Sequence, residues 1–192
     1  MFAEVIEEEN GYRELFAQVR DSPILSDNHL MLVDVFSDEN LFKYAHLSKE
    51  EEELPKVFTL KEPKPAGASA IVDKKEFERN FSIFSEDQLK YLNWENVIAA
   101  GGSVLAALSP IPGEHALNNK TRRKYFHDIG YASSDIDLFI YGLNTEEECN
   151  KKLVEIYEAI TEANPRTTIA FRSKHAVSII SEFCFLSLFF SS

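Results

Sequence analysis

Apolar positions along this chain recur at two spacings. Cys149, Leu153, Ile156 and Ile160 fall at i, i+4, i+7 and i+11, the stripe of a helix. Thr145-x-x-Glu148 has the form of a capping box at its start, and Glu146, Glu147 and Glu148 stand where the helix dipole favours anions. Pro165 lies beyond its end. Phe77, Phe81 and Phe84 also recur at helical spacing, and Ser85-x-x-Gln88 predicts a short helix through Leu92. Short apolar or alternating runs predict strands at Val97 to Ala100, Asp135 to Tyr141, Thr167 to Phe171 and Ala176 to Ile180, with a turn around Ser173-Lys174. Gly101-Gly102-Ser103 turns the first of these strands into a helix, Val104 to Leu108, stopped by Pro110 and Pro112. Residues 109–133 read as a long polar insert.

The first third of the chain is less regular. Phe2, Val5, Ile6, Tyr12, Leu15, Phe16 and Val19 make a rough stripe, predicting an amphipathic helix over residues 1–20 interrupted near Asn10-Gly11. Ser22-Pro23 is a break. His29 to Phe36 reads as a strand, although its apolar residues lie on both faces and a helix segment fits as well. Pro63, Pro65 and Gly67 mark residues 61–70 as a linker. The chain thus divides into a helical and strand leader, 1–70, and a domain, 71–192. From residue 97 the order is strand, turn, helix, insert, strand, helix, strand, strand. That order predicts an α+β fold of α/β-like character, a small mixed sheet covered by helices. No internal repeat is visible.

Composition narrows the function. With 192 residues and 44% apolar content, the chain has material for a core and is not wholly disordered. A net charge of -12 argues against a general nucleic-acid coat. The dense basic cluster, Lys120, Arg122, Arg123 and Lys124, fits a grip on a triphosphate or RNA, or a solvated loop that balances an acidic protein. Glu50 to Glu53 reads as a solvated face. Cys149 and Cys184 show no metal-ligand spacing, and reduced thiols suit the cytosol or nucleus. The acidic N-terminus reads as neither a signal nor a transit peptide, and no run reaches the ~20 apolar residues of a membrane span.

Two motifs carry chemistry. Asp135 and Asp137 alternate along a strand, so they share a face with Phe139 and Tyr141, while Ile136, Leu138 and Ile140 face a core. Carboxylates about 7 Å apart along a strand can converge on one divalent cation. Alone, the pair also fits acidic residues that protect an exposed strand edge. The Gly101-Gly102-Ser103 turn lets backbone approach a phosphate without an intervening Cβ, and Ser103 brings a hydroxyl donor. No G-K-[ST] follows, so it is not a P-loop, and the G-x-S-x-G frame of a serine hydrolase is absent. His29, His46, His115, His127 and His175 show no ligand spacing.

Ala100-Gly101-Gly102-Ser103 followed by Asp135-Ile136-Asp137-Leu138 resembles the polymerase-beta-like nucleotidyltransferase superfamily. More narrowly, residues 75–181 are similar to a group of proteins from fungi and other microbial eukaryotes, some carrying ankyrin repeats. The resemblance implies that Asp135 and Asp137 hold Mg²⁺ (or Mn²⁺). It implies that Gly101, Gly102 and Ser103 bind the phosphates of a nucleoside triphosphate such as ATP. The reaction it implies is attack of an acceptor hydroxyl, on RNA, protein or a small molecule, at the α-phosphorus with release of pyrophosphate.

Three features depart from that pattern. The gap from Ser103 to Asp135 is long. The superfamily usually supplies a third carboxylate from a later strand, yet Glu182 is the only acid after the helix ending near Ala163, and it stands at a strand boundary. The run Phe183 to Ser192 does not resemble the family and reads as an altered or truncated end. These departures admit a second expectation, a catalytically inactive module of the same fold that binds a nucleotide or a protein partner.

Overall fold

The computed structural model describes residues 2–27, 30, 32, 34–37, 42–46, 48–53, 66–164, 168–173, 176–181 and 185–190. The chain divides into two compact units, Met1–Phe42 and Lys43–Ser192. Pro63 and Pro65 of the expected linker, His29, Lys174 of the expected Ser173-Lys174 turn, His175, Glu182 and Cys184 lie outside the described residues.

In the first unit, helix α1 spans Phe2–Gln18 and runs through Asn10-Gly11, where the sequence predicts an interruption. Side-chain pairs one turn apart straddle the glycine: Tyr12 Oη donates to Glu8 (3.3 Å) and Arg13 to Glu9 (2.5 Å). A 3₁₀ turn, Pro23–Ser26, follows. The strand expected over His29 to Phe36 is not formed by its described residues, which are turn and coil. Asp34 Oδ1 accepts from the Phe36 N–H (2.9 Å), a local bond that competes with a sheet ladder.

The second unit holds the sheet. Its five strands lie in the order β1-β2-β5-β4-β3. Strand β1, Val97–Ala100, is antiparallel to β2, Ile136–Ile140. Strand β5, Phe185–Phe190, runs parallel to β2 and antiparallel to β4, Ala176–Ile180. Strand β3, Ile169–Arg172, forms the far edge. Residues Phe185–Phe190, within the run that reads as an altered or truncated end, thus form the middle strand of the sheet. Its alternation explains why: Leu186 and Leu188 are fully buried beside Ile136, Leu138 and Ile140, while Ser187 and Phe189 point the other way.

Helices cover one face. Helix α2, Lys49–Glu53, contributes no residue to the buried core described; it carries the acidic run, with Lys49, Glu50 and Glu53 exposed. Helix α3 spans Lys74–Phe84, capped by Asp73, which accepts from the Glu76 N–H (2.8 Å). The helix expected from Ser85 to Leu92 does not form. Ser85 ends α3, and Glu86 and Asp87 adopt left-handed backbone (φ 52° and 56°). Tertiary partners hold that kink: Arg123 and His127 approach the Glu86 carboxylate at 2.7 and 3.3 Å, and Ser82 donates to Asp87.

Helix α4, Gly102–Leu108, and helix α6, Glu146–Ala163, complete the cover. Ile156 and Ile160 of α6 join the core with Ile136, Leu138, Leu186 and Leu188. The Thr145 capping box is present in full. The expected polar insert contains helix α5, Asn119–Lys124, and a π-helical turn, Tyr125–Gly130. Phe126 is fully buried against Phe84, ring centroids 5.7 Å apart. The insert is therefore part of the helical layer. The protein is an α+β fold with helices packed on one face of a five-stranded mixed sheet.

The position of β5 carries a stability prediction. Leu188→Ala empties a fully buried site and should cost about 3 kcal/mol by urea denaturation. Ile98→Ala, on the uncovered face, should stay within about 0.5 kcal/mol of the parent.

Candidate active site

Strand β1 ends at Ala100, which pairs with Asp137 of β2 in the ladder. The chain then turns through Gly101, whose φ of 76° and ψ of -150° belong to a region open almost only to glycine. A Cβ on Gly101 would stand 2.5 Å from Asp137 Oδ2. A Cβ on Gly102 would collide with Ser134 Oγ. The glycine turn and the start of β2 therefore touch, and two motifs more than thirty residues apart in sequence form one place. The first N–H groups of α4 lack acceptors within the helix by its geometry.

Asp137 lies on the face opposite the helices, two residues before exposed Phe139. Burial first, and then the charge of Asp135, push its carboxyl above the usual carboxylate range. Among the described residues no Lys, Arg or His forms an ion pair with Asp135 or Asp137. Two carboxylates held near each other without a protein cation are a donor set suited to a hard divalent ion such as Mg²⁺. Among the described residues no group of three or more His, Cys, Asp or Glu side chains is placed to hold a metal ion.

The parallel ladder pairs Asp137 with Ser187. Ser187 is 7% exposed, and its hydroxyl lies 3.5 Å from Asp135 Oδ2, a long donation. A serine thus stands beside the two aspartates on the same face of the sheet. Ser187 is not among the site residues expected from the sequence, since no strand is predicted after Ser181. The alternation of Leu186 and Leu188 with Ser187 was the signal that would have found it.

Ser103 is placed differently from the expectation. It is fully buried, and its hydroxyl donates to the Ala100 carbonyl (3.2 Å), bracing the turn. The basic cluster is also divided. Arg122 is buried and bonded to the Ala116 carbonyl (3.0 and 3.2 Å), Asn80 Oδ1 (2.8 Å) and Glu76. Arg123 pairs with Glu86. Lys120 and Lys124 are exposed. His115 stacks on Tyr125 at 5.1 Å. Cys149 is a half-buried free thiol.

A cavity of about 500 Å³ opens elsewhere, lined by Phe77, Phe81, Trp94 and Lys90 among others. Ala99 also lines it, and Ala99 faces the helical layer, so this cavity lies on the other side of the sheet from Asp137. Trp94 meets Phe81 there, ring centroids 6.1 Å apart.

Gly101→Ala tests the contact between turn and carboxylate. Strained backbone and the clash with Asp137 together should cost about 2 kcal/mol or more and displace the carboxylate. Gly113→Ala, with nothing within 4 Å of its Cβ, should leave the thermal midpoint unchanged.

No family model, curated protein or solved structure matches the chain. Among the described residues no helix is long and apolar enough to cross a membrane.

Proposed function

We propose that this protein is a metal-dependent nucleotidyltransferase-fold protein that binds a nucleoside triphosphate and transfers its nucleoside monophosphate to an acceptor hydroxyl. The observation that carries the reading is the contact of the Gly101-Gly102 turn with the Asp137 carboxylate and with Ser134, on either side of Asp135. A small-residue turn opening a helix beside an unpaired carboxylate pair is suited to phosphate and a divalent ion together.

In this reading Asp135 and Asp137 hold Mg²⁺ or Mn²⁺, and the backbone of Gly101 to Ser103 faces the phosphates. When bound, the ion neutralises charge on the phosphates and polarises the reacting oxygens. The chain itself contributes placement. Gly101 and Gly102 let the turn approach Asp137 and Ser134 closely, and Ser103 locks the turn through Ala100. Ile136, Leu138 and Ile140 anchor β2 in the core, which fixes where the aspartates point. The bond from the acceptor oxygen to the α-phosphorus forms as the bond to pyrophosphate breaks, and the hydroxyl proton leaves to water. The half-buried free Cys149 suits a reducing compartment, so the proposal includes the cytosol or nucleus.

A specific observation favours a second reading. Ser187 stands beside Asp137 and Asp135, and a serine hydroxyl is a poorer ligand for a hard cation than a carboxylate. A site of this kind binds a metal nucleotide and turns it over slowly, as a binding module would.

The test is incubation with labelled nucleoside triphosphates, Mg²⁺ or Mn²⁺, and RNA, protein and small-molecule acceptors. Incorporation should vanish in Asp135→Asn and in Asp137→Asn. Incorporation that persists in both variants would remove the metal assignment. Mg²⁺-dependent nucleotide binding without incorporation by the parent chain would select the second reading.

A further inference from the structure

The geometry points to a nucleobase platform on Phe139, backed by the Phe189 ring stacked against it, beside the carboxylate pair, an inference that rests on the metal-nucleotide reading above. Two neighbouring cross-strand rows run over the face that the helices leave uncovered. One row is Ala100, Asp137, Ser187 and Ser178. The next is Ile98, Phe139, Phe189 and Ala176. Each member of the second row is two residues from its counterpart in the first, so the rows share a face and lie about 7 Å apart.

The Phe139 and Phe189 rings stack at 5.0 Å between centroids with 20° between planes. Phe139 remains 40% exposed, and Ile98 beside it 48%. A contiguous apolar strip next to two carboxylates, on the open side of a sheet, marks a binding surface more than a packing surface. The ligand that matches both rows carries a metal-bound polyanion at one end and a flat π-face about 7 Å away. A nucleoside triphosphate has that form, with the sugar between phosphate and ring. The strip has no polar side-chain atom to read the edge of a base. Recognition by stacking alone accepts every base and favours the larger purines.

The experiment is calorimetric titration of the full chain, in Mg²⁺, with ATP, GTP, CTP, UTP and inorganic tripolyphosphate. The parent should bind all four nucleotides about 10-fold tighter than tripolyphosphate, purines tightest. Phe139→Ala should weaken all four about 10-fold and leave tripolyphosphate unchanged, which also shows that the variant is folded. Phe139→Trp should restore or improve nucleotide affinity. Equal parental affinity for nucleotides and tripolyphosphate overturns the platform alone, leaving the metal-phosphate site standing. An equal loss of both ligands in Phe139→Ala also overturns it. So does a change of oligomeric state with nucleotide affinity intact, which marks the strip as a contact between copies. Failure of the parent to bind either ligand removes the metal-nucleotide reading and the platform with it.

Discussion

Ser187→Asp should raise nucleotidyl transfer about 100-fold over the parent chain at saturating Mg²⁺, read as incorporation of labelled nucleotide. The reason lies in the ladder. Ser187 pairs with Asp137 across β2 and β5, and its hydroxyl lies 3.5 Å from Asp135 Oδ2. An aspartate there adds a third carboxylate on the same face. Without a cation the new charge is desolvated and repelled by its neighbours, so the variant should melt below the parent in chelator. Added Mg²⁺ should reverse that order, because the ion meets three carboxylates where the parent offers two. Two outcomes would count against the site: a variant whose melting ignores Mg²⁺, or one that binds Mg²⁺ tightly yet shows no gain in transfer. The first removes the metal centre and the second removes the transferase chemistry.

Asp137→Asn should have two effects of opposite sign. In chelator at neutral pH the variant should melt above the parent. Burial and Asp135 raise the Asp137 carboxyl in the folded chain, so folding favours its protonated form. Its contribution to stability is whole below the ordinary carboxylate range and is lost as pH rises through the raised value. Asparagine removes that loss, so the advantage of the variant should shrink towards acid pH. With Mg²⁺ and nucleotide present the order should invert. A ligand at 100 times its dissociation constant stabilises the parent by about 2.7 kcal/mol, roughly 5–10 °C for a chain of this size. The variant should gain little of that. Scanning calorimetry across pH, with and without Mg²⁺-nucleotide, reads both effects. Equal melting of the two proteins at every pH in chelator would show that Asp137 carries no penalty. Equal stabilisation by Mg²⁺-nucleotide would show that it holds no ion.

The elements that local pattern decides were legible. The β2 alternation put Ile136, Leu138 and Ile140 inside and Asp137 and Phe139 outside, and the Thr145 box started α6 where it was expected. Each depends on neighbours within a few residues: side-chain alternation on a strand, or a capping hydroxyl and the N–H three residues on. Ser85-x-x-Gln88 has the same form as the Thr145 box, yet it ends a helix. Contacts from Arg123 and His127 to Glu86, some forty residues away, hold the chain in a left-handed bend there. A polar-looking insert became part of the helical layer because Phe126 found Phe84, and Arg122 found Asn80 and Glu76.

The candidate site divides in the same way. By itself the sequence determined the candidates, the glycine turn and the two aspartates, and that Asp137 leaves the core face of its strand. Tertiary structure alone decided that the turn and the Asp137 carboxylate touch. It also decided that Ser103 turns inward, and that Ser187 and Phe189 join the aspartates on one open face. The reason is that strand pairing is non-local. Alternation fixes which face a residue takes, but the partner strand and its register emerge only when the whole sheet assembles over its buried leucines and isoleucines.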